Sequence, residues 1–186
     1  MFIIKNNYYL YIENTNSIDL NFIRKSNKIS IIYRNNNLQE NFTRFYNFRK
    51  KCKVMGFKFY IANNFKLAIK SKADGLYLSS HNKKIYFCKK IRLIGSAHNY
   101  REIYQKIKQG CDTIILSRLF KTSYEYKKSY FGLIKFNLLI NSYSKDIIPL
   151  GGIKNTNLLK LNLVKSDGLA IFSELKKKPV ISHRLF

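Results

Sequence analysis

Short apolar segments alternate with longer amphipathic ones along the chain, a pattern typical of alternating strands and helices. Segments rich in β-branched and aromatic residues predict eight strands, at residues 8–12, 29–33, 58–62, 75–79, 93–96, 113–117, 148–151 and 168–172. Apolar residues at helical spacing predict five clear helices, at residues 38–54, 64–72, 100–109, 133–143 and 156–165. The first, fourth and eighth helices are predicted to be short or irregular, and Pro179 interrupts the last one.

Three segments repeat one local pattern, in which a helical stretch ends, an aspartate follows and a short apolar strand begins. The aspartates are Asp74, Asp112 and Asp167. Repeated junctions of this kind are typical of βα units and a parallel sheet. Eight such strands predict an α/β fold, a small single-domain (β/α)8 or TIM barrel spanning residues 1–186. The alternative is an open doubly wound sheet, although the glycines include no GxGxxG spacing.

The barrel prediction divides the polar residues between two faces, because ligand sites form at the carboxyl ends of barrel strands and the opposite face stabilises the fold. The three aspartates precede strands, so we expect them to form turns or helix caps on the stabilising face. The strand ends carry mainly hydroxyls, amides, glycines and cations: Arg34, Asn63, Asn64, Ser79, Ser80, His81, Ser96, His98, Ser117, Arg118, Gly151, Gly152 and Ser173. This set predicts an anion site.

Two predicted strand ends form the position where such barrels usually bind phosphate. Gly151 and Gly152 follow strand seven, and Phe172 and Ser173 end strand eight. Arg34 ends strand two, and its planar guanidinium suits phosphate oxygens. We expect Arg34 to hold the anionic part of a ligand; the alternative is a solvated arginine at the start of a loop.

Composition narrows the class of protein. The chain has 35 Lys plus Arg against 10 Asp plus Glu, a formal charge of +25, which suits phosphorylated partners. The basic residues are spread along the chain and enriched together with Asn, Ile, Tyr and Phe, as in an AT-rich coding sequence, so we expect nucleic acid not to be the main partner. A hydrophobic content of 46% excludes a disordered basic tail.

No apolar run approaches the roughly 18 residues that a membrane helix needs, and the apolar start of the chain is too short for a signal peptide. Three widely spaced cysteines, Cys52, Cys88 and Cys111, form no metal or disulfide pattern. We therefore expect reduced thiols in a cytoplasmic protein.

Six short motifs follow one another in a fixed order. They are Tyr-x-x-Asn (60–63), Lys-Ala-Asp-Gly-Leu-Tyr-Leu (72–78), Ile-Gly-Ser-Ala-His-Asn (94–99), Leu-Ser-x-Leu-Phe-x-Thr (116–122), Leu-Gly-Gly-Ile (150–153) and Ser-Asp-Gly-Leu-Ala (166–170). In this order they resemble the thiamine phosphate synthase/TenI family, over residues 29–175. The resemblance implies a barrel that binds phosphate. For the synthase type it implies a transferase of thiamine biosynthesis that joins hydroxymethylpyrimidine pyrophosphate to thiazole phosphate and releases pyrophosphate.

The resemblance also implies roles for individual residues. It places Arg34 on the pyrophosphate with Asn63 beside it, and Ser96 near the pyrimidine. It implies a phosphate-binding set made of Gly151, Gly152, Phe172, Ser173 and Thr122 together with Arg34. Cations and Mg²⁺ are expected around the leaving group, because negative charge builds on the departing oxygens.

Several positions depart from the synthase pattern. Asn64 and Asn82 stand where metal-binding aspartates are expected, and an amide is a weaker Mg²⁺ ligand because it brings no charge. We therefore doubt ordinary Mg²⁺-dependent turnover and assign no metal ligand. Glu125 stands where a lysine is expected, although Lys127 and Lys128 are nearby, and Arg118 stands where a proline is usual. Ile32 and Asn36, on either side of Arg34, stand where Gln and Lys are expected.

Three hypotheses about activity stay open. The chain is a synthase, a metal-free TenI-like thiazole tautomerase, or a binding-only member of the family; all three take small phosphorylated pyrimidine or thiazole ligands. A tautomerase needs a proton-transfer group, for which His81 is the candidate, although a lone loop histidine is as readily a solvated one. His98 lies in the shared Ser-Ala-His motif, so we expect it to pack or cap. Assembly into a homo-oligomer also stays open.

Overall fold

A computed structural model describes residues 5–35, 40–87, 91–122 and 129–171. Eight parallel strands close into one barrel in chain order. They are β1 (Asn7–Ile12), β2 (Ile29–Tyr33), β3 (Lys58–Ala62), β4 (Gly75–Leu78), β5 (Arg92–Ala97), β6 (Thr113–Ser117), β7 (Asp146–Leu150) and β8 (Gly168–Ile171). Strand β1 pairs with β2 on one side and with β8 on the other, which closes the barrel. The (β/α)8 prediction is confirmed, and the open sheet is excluded.

The described part of the chain contains four α-helices on the outside of the barrel. They are α1 (Phe42–Val54), α2 (Phe65–Lys70), α3 (Tyr100–Lys108) and α4 (Gly132–Ile140). The first connection has only a 3₁₀ turn, Leu20–Phe22, and the described residues between β4 and β5 form no helix, as the sequence predicted for the first and fourth helices. The predicted eighth helix lies outside the described residues.

One predicted helix differs in type. The segment predicted at 156–165 is a 3₁₀ helix, Asn155–Leu163, and not a regular α-helix. The side chain of Asn157 gives a physical reason. Its amide oxygen accepts from the Lys154 N–H at 2.8 Å, and its amide nitrogen donates to the Gly152 carbonyl at 2.8 Å. Asparagine side chains that bond nearby backbone compete with the α-helical hydrogen-bond pattern.

Asparagines also set where the regular helices begin. The side chains of Asn41, Asn64 and Asn99 accept hydrogen bonds from backbone N–H groups in the first turns of α1, α2 and α3, respectively. Such caps satisfy donors that have no partner inside the helix. Each helix therefore starts at a residue type that the sequence supplies locally.

The apolar side chains form two layers. Alternate strand residues point into the barrel and pack as one cluster: Tyr9, Tyr11, Ile32, Tyr60, Tyr77, Ile94, Ile115, Ile148 and Ala170. The other strand residues point outward and pack against the helices, as Ile31 and Phe59 do against the buried face of α1. Tyrosines fill much of the interior. Gly75 makes room for one of them, since a Cβ there would lie 2.4 Å from the Tyr60 ring.

The aspartates before the strands lie at the amino-terminal end of the barrel, as predicted. Asp74 accepts a hydrogen bond from the Phe59 N–H at 2.8 Å and pairs with the buried Arg49 at 3.0 Å. Asp112 lies 3.9 Å from Lys145, and the Asp167 carbonyl accepts two N–H bonds at the start of β1. These residues tie each helix-to-strand junction to a neighbouring strand.

Two further expectations concern cysteines and membranes. Cys52 and Cys111 are buried free thiols, and Cys88 lies outside the described residues. Burial raises the pKa of each of these two thiols to about 12, so both are protonated and unreactive at neutral pH. None of the described helices is both long and apolar enough to cross a membrane.

Candidate functional site

A line of hydroxyl groups crosses the barrel mouth. The Tyr11 hydroxyl donates to the Tyr77 hydroxyl at 3.1 Å, and the two rings meet edge to face. The Ser96 side chain is close enough to Tyr77 to oppose the rise in the Tyr77 pKa that burial causes. These residues belong to β1, β4 and β5, so three strand ends contribute to one polar line. Ser96, which the resemblance places near the pyrimidine, thus lies in the mouth among buried hydroxyls.

Arg34 follows β2 at the same end of the barrel. Its backbone N–H donates to the Ile12 carbonyl at 2.8 Å, which holds the end of β2 against β1, and its side chain is exposed. Burial raises the pKa of both Tyr11 and Tyr77, and the Arg34 guanidinium is near enough to oppose that shift. Both tyrosines therefore stay neutral and offer hydroxyl hydrogen bonds, while Arg34 supplies the positive charge at this point of the mouth.

Glu40 connects two chain segments beside Arg34 through hydrogen bonds. Its carboxylate accepts from the Thr15 N–H at 2.9 Å, and also from the Thr15 and Tyr33 hydroxyls. The Asn35 amide donates to the same Tyr33 hydroxyl at 2.7 Å. Glu40 thus links the segment after β1 to the end of β2. We did not predict this role, because nothing in the local pattern around Glu40 indicates its distant partner Thr15.

Asn63, at the end of β3, joins the loop after β4. Its amide oxygen accepts from the Ser79 N–H at 3.0 Å and from the Asn82 side-chain amide at 3.0 Å. Asn63 adopts a left-handed backbone conformation with φ +56°, which asparagine tolerates better than most residues. The structure therefore brings Asn63 and Asn82 together as a hydrogen-bonded amide pair, and both line one cavity.

The side-chain oxygens at the expected metal positions are already used as acceptors. The Asn64 oxygen caps α2 by accepting from the Leu67 N–H at 2.9 Å. The Asn82 oxygen accepts from the Lys84 N–H at 2.9 Å. Mg²⁺ prefers several hard, charged oxygens in octahedral geometry. Two neutral amides whose oxygens accept from the backbone do not fit that requirement, and the described residues contain no cluster of three His, Cys, Asp or Glu side chains suited to a metal.

A buried lysine binds the main chain of the 79–84 loop. Lys106 of α3 is fully buried, and its ammonium donates to the Ser79 and Asn82 carbonyls at 2.7 Å each. Gln109 accepts from the same ammonium at 2.9 Å and donates to the carbonyls of Asn82 at 3.0 Å and Lys84 at 2.7 Å. Burial lowers the pKa of Lys106, opposed by the electrostatic influence of Cys111 and Glu102. Lys106 of α3 and Gln109, which directly follows α3, thus bind three carbonyls of one loop.

The sequence prediction missed Lys106 and Gln109. A signal was present, because Lys106 lies three residues after the buried Ile103 and so on the apolar stripe of α3. A second signal is Gly95 on β5, where an added Cβ would lie 2.7 Å from Lys106 Cγ. The missing side chain at Gly95 makes room for the lysine stem.

The paired glycines after β7 pack against the loop after β6. Gly151 and Gly152 adopt φ +94° and +74°, which favour glycine. A Cβ at Gly152 would lie 2.2 Å from the Phe120 carbonyl oxygen, and the Gly151 carbonyl accepts from the Phe120 N–H at 3.1 Å. Thr122, in the same loop, accepts from Arg118 at 3.3 Å. The glycines therefore permit close contact between two mouth loops, in addition to any approach to a ligand.

Other predicted site residues have different placements. His81 is exposed beside Asn82 and lines an open cavity with Asn63. His98 takes part in the cap of α3, since its backbone N–H and its Nδ1 both contact the Glu102 carboxylate, at 2.8 and 2.9 Å. This agrees with the expected capping role. Several residues lie outside the described part of the chain: Phe172, Ser173, Glu125, Lys127 and Lys128.

Comparison with known proteins decides the lineage. Residues 22–175 match the family model described as thiamine monophosphate synthase, TMP-TENI. The chain belongs to the thiamine monophosphate synthase family. A thiamine-phosphate synthase of Prochlorococcus marinus (strain MED4) is 30% identical over 131 residues, covering 68% of this chain and 37% of that protein. One from Pelagibacter ubique (strain HTCC1062) is 28% identical over 194 residues, covering 94% of each chain.

The fold agrees with membership of the thiamine monophosphate synthase family. A solved thiamine phosphate pyrophosphorylase from Pyrococcus furiosus superposes with a TM-score of 0.73 at 17% identity, covering 96% of this chain and 91% of that chain. At this identity the likeness shows the fold. The chain spans only 37% of the length of the Prochlorococcus relative, and nearly the whole of the Pelagibacter one.

Proposed function

We propose that the protein binds hydroxymethylpyrimidine pyrophosphate and thiazole phosphate at the barrel mouth and joins them, with release of pyrophosphate. Family membership supports the substrate class. The observation that carries the proposal is the hydrogen-bonded pair of Tyr11 and Tyr77 with Ser96 and Arg34 close by, because it sets a cation near neutral hydroxyl groups at the carboxyl ends of the strands.

The residues have separate proposed roles. Arg34 attracts the pyrophosphate as negative charge builds on the leaving oxygens. Ser96, held by Tyr77, orients the pyrimidine with a hydroxyl hydrogen bond. The thiazole phosphate lies near Gly151 and Gly152, with Thr122 in the adjoining loop and with Ser173 as the resemblance implies. The resemblance implies each role, and the charge or hydrogen-bonding capacity at each strand end is compatible with it.

The two alternative functions require different chemical groups at the barrel mouth. A thiazole tautomerase requires an acid-base group, and His81 offers an imidazole at the edge of the cavity. A binding-only protein requires none. The tautomerase hypothesis is favoured by one specific observation, the amides at positions 64 and 82, since that branch of the family uses no metal.

Activity measurements separate the three. The purified protein is incubated with both synthase substrates, with and without Mg²⁺, and thiamine phosphate is quantified. Formation of thiamine phosphate supports the synthase. If none forms, the protein is given the thiazole carboxylate phosphate tautomer: isomerisation identifies a tautomerase, and saturable binding without conversion identifies a binding protein.

We further propose a cytoplasmic location, which the two free thiols support because disulfides are rare in that compartment. Assembly into a homo-oligomer stays a prediction, and sedimentation of the purified chain measures it.

A further inference from the structure

The 79–84 loop receives hydrogen bonds from two side chains at the end of α3, and the proposed reaction does not yet use it. Its main chain is bound by Lys106 and Gln109, as described above. Its side chains line an open cavity of about 590 Å³, together with residues that follow it and with Asn63. The lining residues are Asn63, His81, Asn82, Lys83, Lys84 and Tyr86. None of them is a carboxylate, and two are exposed lysines.

The hydrogen bonds that Lys106 and Gln109 make to the loop, called the clamp below, set the orientation of the loop. The carbonyls of Ser79, Asn82 and Lys84 all point toward α3, where they accept from the lysine and the glutamine. In a trans peptide the N–H of the next residue points opposite to the carbonyl. The N–H groups of Ser80, Lys83 and Ile85, which follow these carbonyls, therefore point away from α3, which favours an anion on the outer side of the loop. The Asn82 and Lys84 N–H groups donate within the loop, to the Ser79 carbonyl and to the Asn82 side chain.

The buried ammonium acts on the carbonyl ends of these peptide dipoles. Lys106 is fully buried, and its ammonium donates to two carbonyls and to the Gln109 amide oxygen. A buried cation is costly unless its donors are satisfied. The three acceptors, at 2.7 to 2.9 Å, meet all three N–H donors of the ammonium. The cation thus holds the loop without occupying the cavity.

The charges around the cavity suit an anion better than a metal ion. The amide oxygens of Asn63 and Asn82 already accept from N–H groups, so the oxygens that would face a metal are engaged. Lys83 and Lys84 bring two positive charges to the same edge. Ammonium groups bind phosphate oxygens as compact point charges.

We propose that the 79–84 loop binds a pyrophosphate-class anion through its own ammonium and amide donors without a metal ion, and that Lys106 is the positioning residue that holds the loop in its binding shape. The identity of the anion rests on the proposed function. The binding mode does not, since it follows from the clamp, the engaged amide oxygens and the two lysines.

Calorimetric titration with inorganic pyrophosphate in EDTA tests the binding mode. We expect saturable binding, and K83A/K84A weakens it about tenfold because two charge-assisted contacts are lost. The control is K25A/K28A, which removes the same charge from exposed positions at the other end of the barrel and leaves the affinity within about twofold. The proposal is overturned if pyrophosphate fails to bind in EDTA, or if both double variants bind equally.

A second titration uses preformed magnesium pyrophosphate, because Mg²⁺ also binds the free anion. We expect an affinity no higher than that of pyrophosphate in EDTA. Markedly tighter binding of the magnesium complex would show that a metal ion takes part and would overturn the proposal. Synthase turnover is measured separately, so that metal-free pyrophosphate binding without turnover rejects the proposed function alone. Conversely, turnover together with pyrophosphate binding that needs Mg²⁺ rejects this inference alone.

The positioning role is tested with K106M, which keeps an aliphatic stem beside Gly95 and removes the ammonium. We expect pyrophosphate affinity to fall about tenfold although Lys106 does not line the cavity, and trypsin to cut faster after Lys83 and Lys84, as mapped by mass spectrometry. Wild-type affinity or wild-type cleavage at these two sites contradicts the role. If K106M does not fold, Q109L removes two bonds to the same loop and is judged by the same two measurements.

Discussion

Arg34 combines exposure with a fixed backbone. Its N–H is bonded to the end of β1, so the guanidinium extends from a fixed strand end, near enough to Tyr11 and Tyr77 to influence both electrostatically. Two carboxylates of the mouth, Glu40 and Glu102, are engaged by other partners. These contacts favour Arg34 as a ligand for phosphate oxygens over a role as a structural ion-pair residue.

Replacing Arg34 with alanine should weaken binding of hydroxymethylpyrimidine pyrophosphate by about 1.5 kcal/mol, roughly tenfold. This is the low end for a charge-assisted hydrogen bond, because the side chain is exposed to water. Calorimetry of R34A measures the loss, and circular dichroism should show an unchanged melting temperature. R24A, which removes an exposed arginine far from the mouth, is the matched control. Equal affinities for R34A and the wild type would place the pyrophosphate elsewhere.

Helix α3 is joined to the barrel by a reciprocal cap at its start and by a buried lysine near its end. At the start, the Asn99 side chain accepts from the Glu102 N–H at 2.9 Å, and the Glu102 carboxylate accepts from the Asn99 side chain and from His98. Such reciprocal bonds satisfy donors that the first helical turn leaves without partners. Near the end, Lys106 crosses Gly95 of β5 and reaches the 79–84 loop.

The cap should make stability depend on pH. Partial burial raises the pKa of Glu102, but the bonds from His98 and Asn99 outweigh it, so the pKa lies below its usual value of 4.5. The carboxylate therefore stabilises the fold fully above the unfolded pKa, and this contribution is lost as pH falls through the folded pKa. E102Q should lower the free energy of unfolding at neutral pH by roughly 0.5–1 kcal/mol. Its urea midpoint should also fall less steeply than that of the wild type below pH 4.5. Parallel pH profiles for the two proteins would contradict this account.

The effects of substitutions at Gly95 and Lys106 on the free energy of unfolding should be non-additive. G95A places a Cβ 2.7 Å from the lysine stem, so overpacking should destabilise the protein by about 1–3 kcal/mol. G95A/K106A removes the Cγ and Cδ atoms that the new methyl group would meet and keeps the Lys106 Cβ at 2.9 Å, so the overpacking is relieved in part. The double variant should therefore lose about 1 kcal/mol less than the sum of the two single variants. Urea unfolding of all four proteins gives this coupling energy, and strict additivity would mean that the two sites do not share space.

The barrel separates stabilising contacts from the candidate site by placing them at opposite ends. Asp74 binds both the Phe59 N–H and the buried Arg49 at the amino-terminal end. The hydroxyl line, Arg34 and the 79–84 loop lie at the other end. Changes at Asp74 should therefore affect folding and leave ligand binding unchanged.

D74A should lower the free energy of unfolding by about 2 kcal/mol, since it removes the acceptor of a backbone N–H and the carboxylate beside a buried guanidinium. D112A, whose ion pair with Lys145 is long and largely exposed, should change it by less than about 0.5 kcal/mol. Urea unfolding measures both. Pyrophosphate affinity should equal the wild-type value in each variant, and a loss of affinity in folded D74A would show that the two ends are coupled.

The alternation of apolar strands and amphipathic helices was enough to predict the closed barrel, because hydrophobic periodicity and chain order are local properties. The Asp74 junction was predictable for the same reason. The use of Lys106 and the pairing of the Asn63 and Asn82 side chains were not predictable. Lys106 binds carbonyls 24 and 27 residues away, and the Asn63 oxygen accepts from an amide 19 residues away. Such pairings depend on how elements distant in sequence pack. The sequence thus determined the barrel and the residue types at its mouth, whereas tertiary packing decided which charges are buried and which oxygens are engaged.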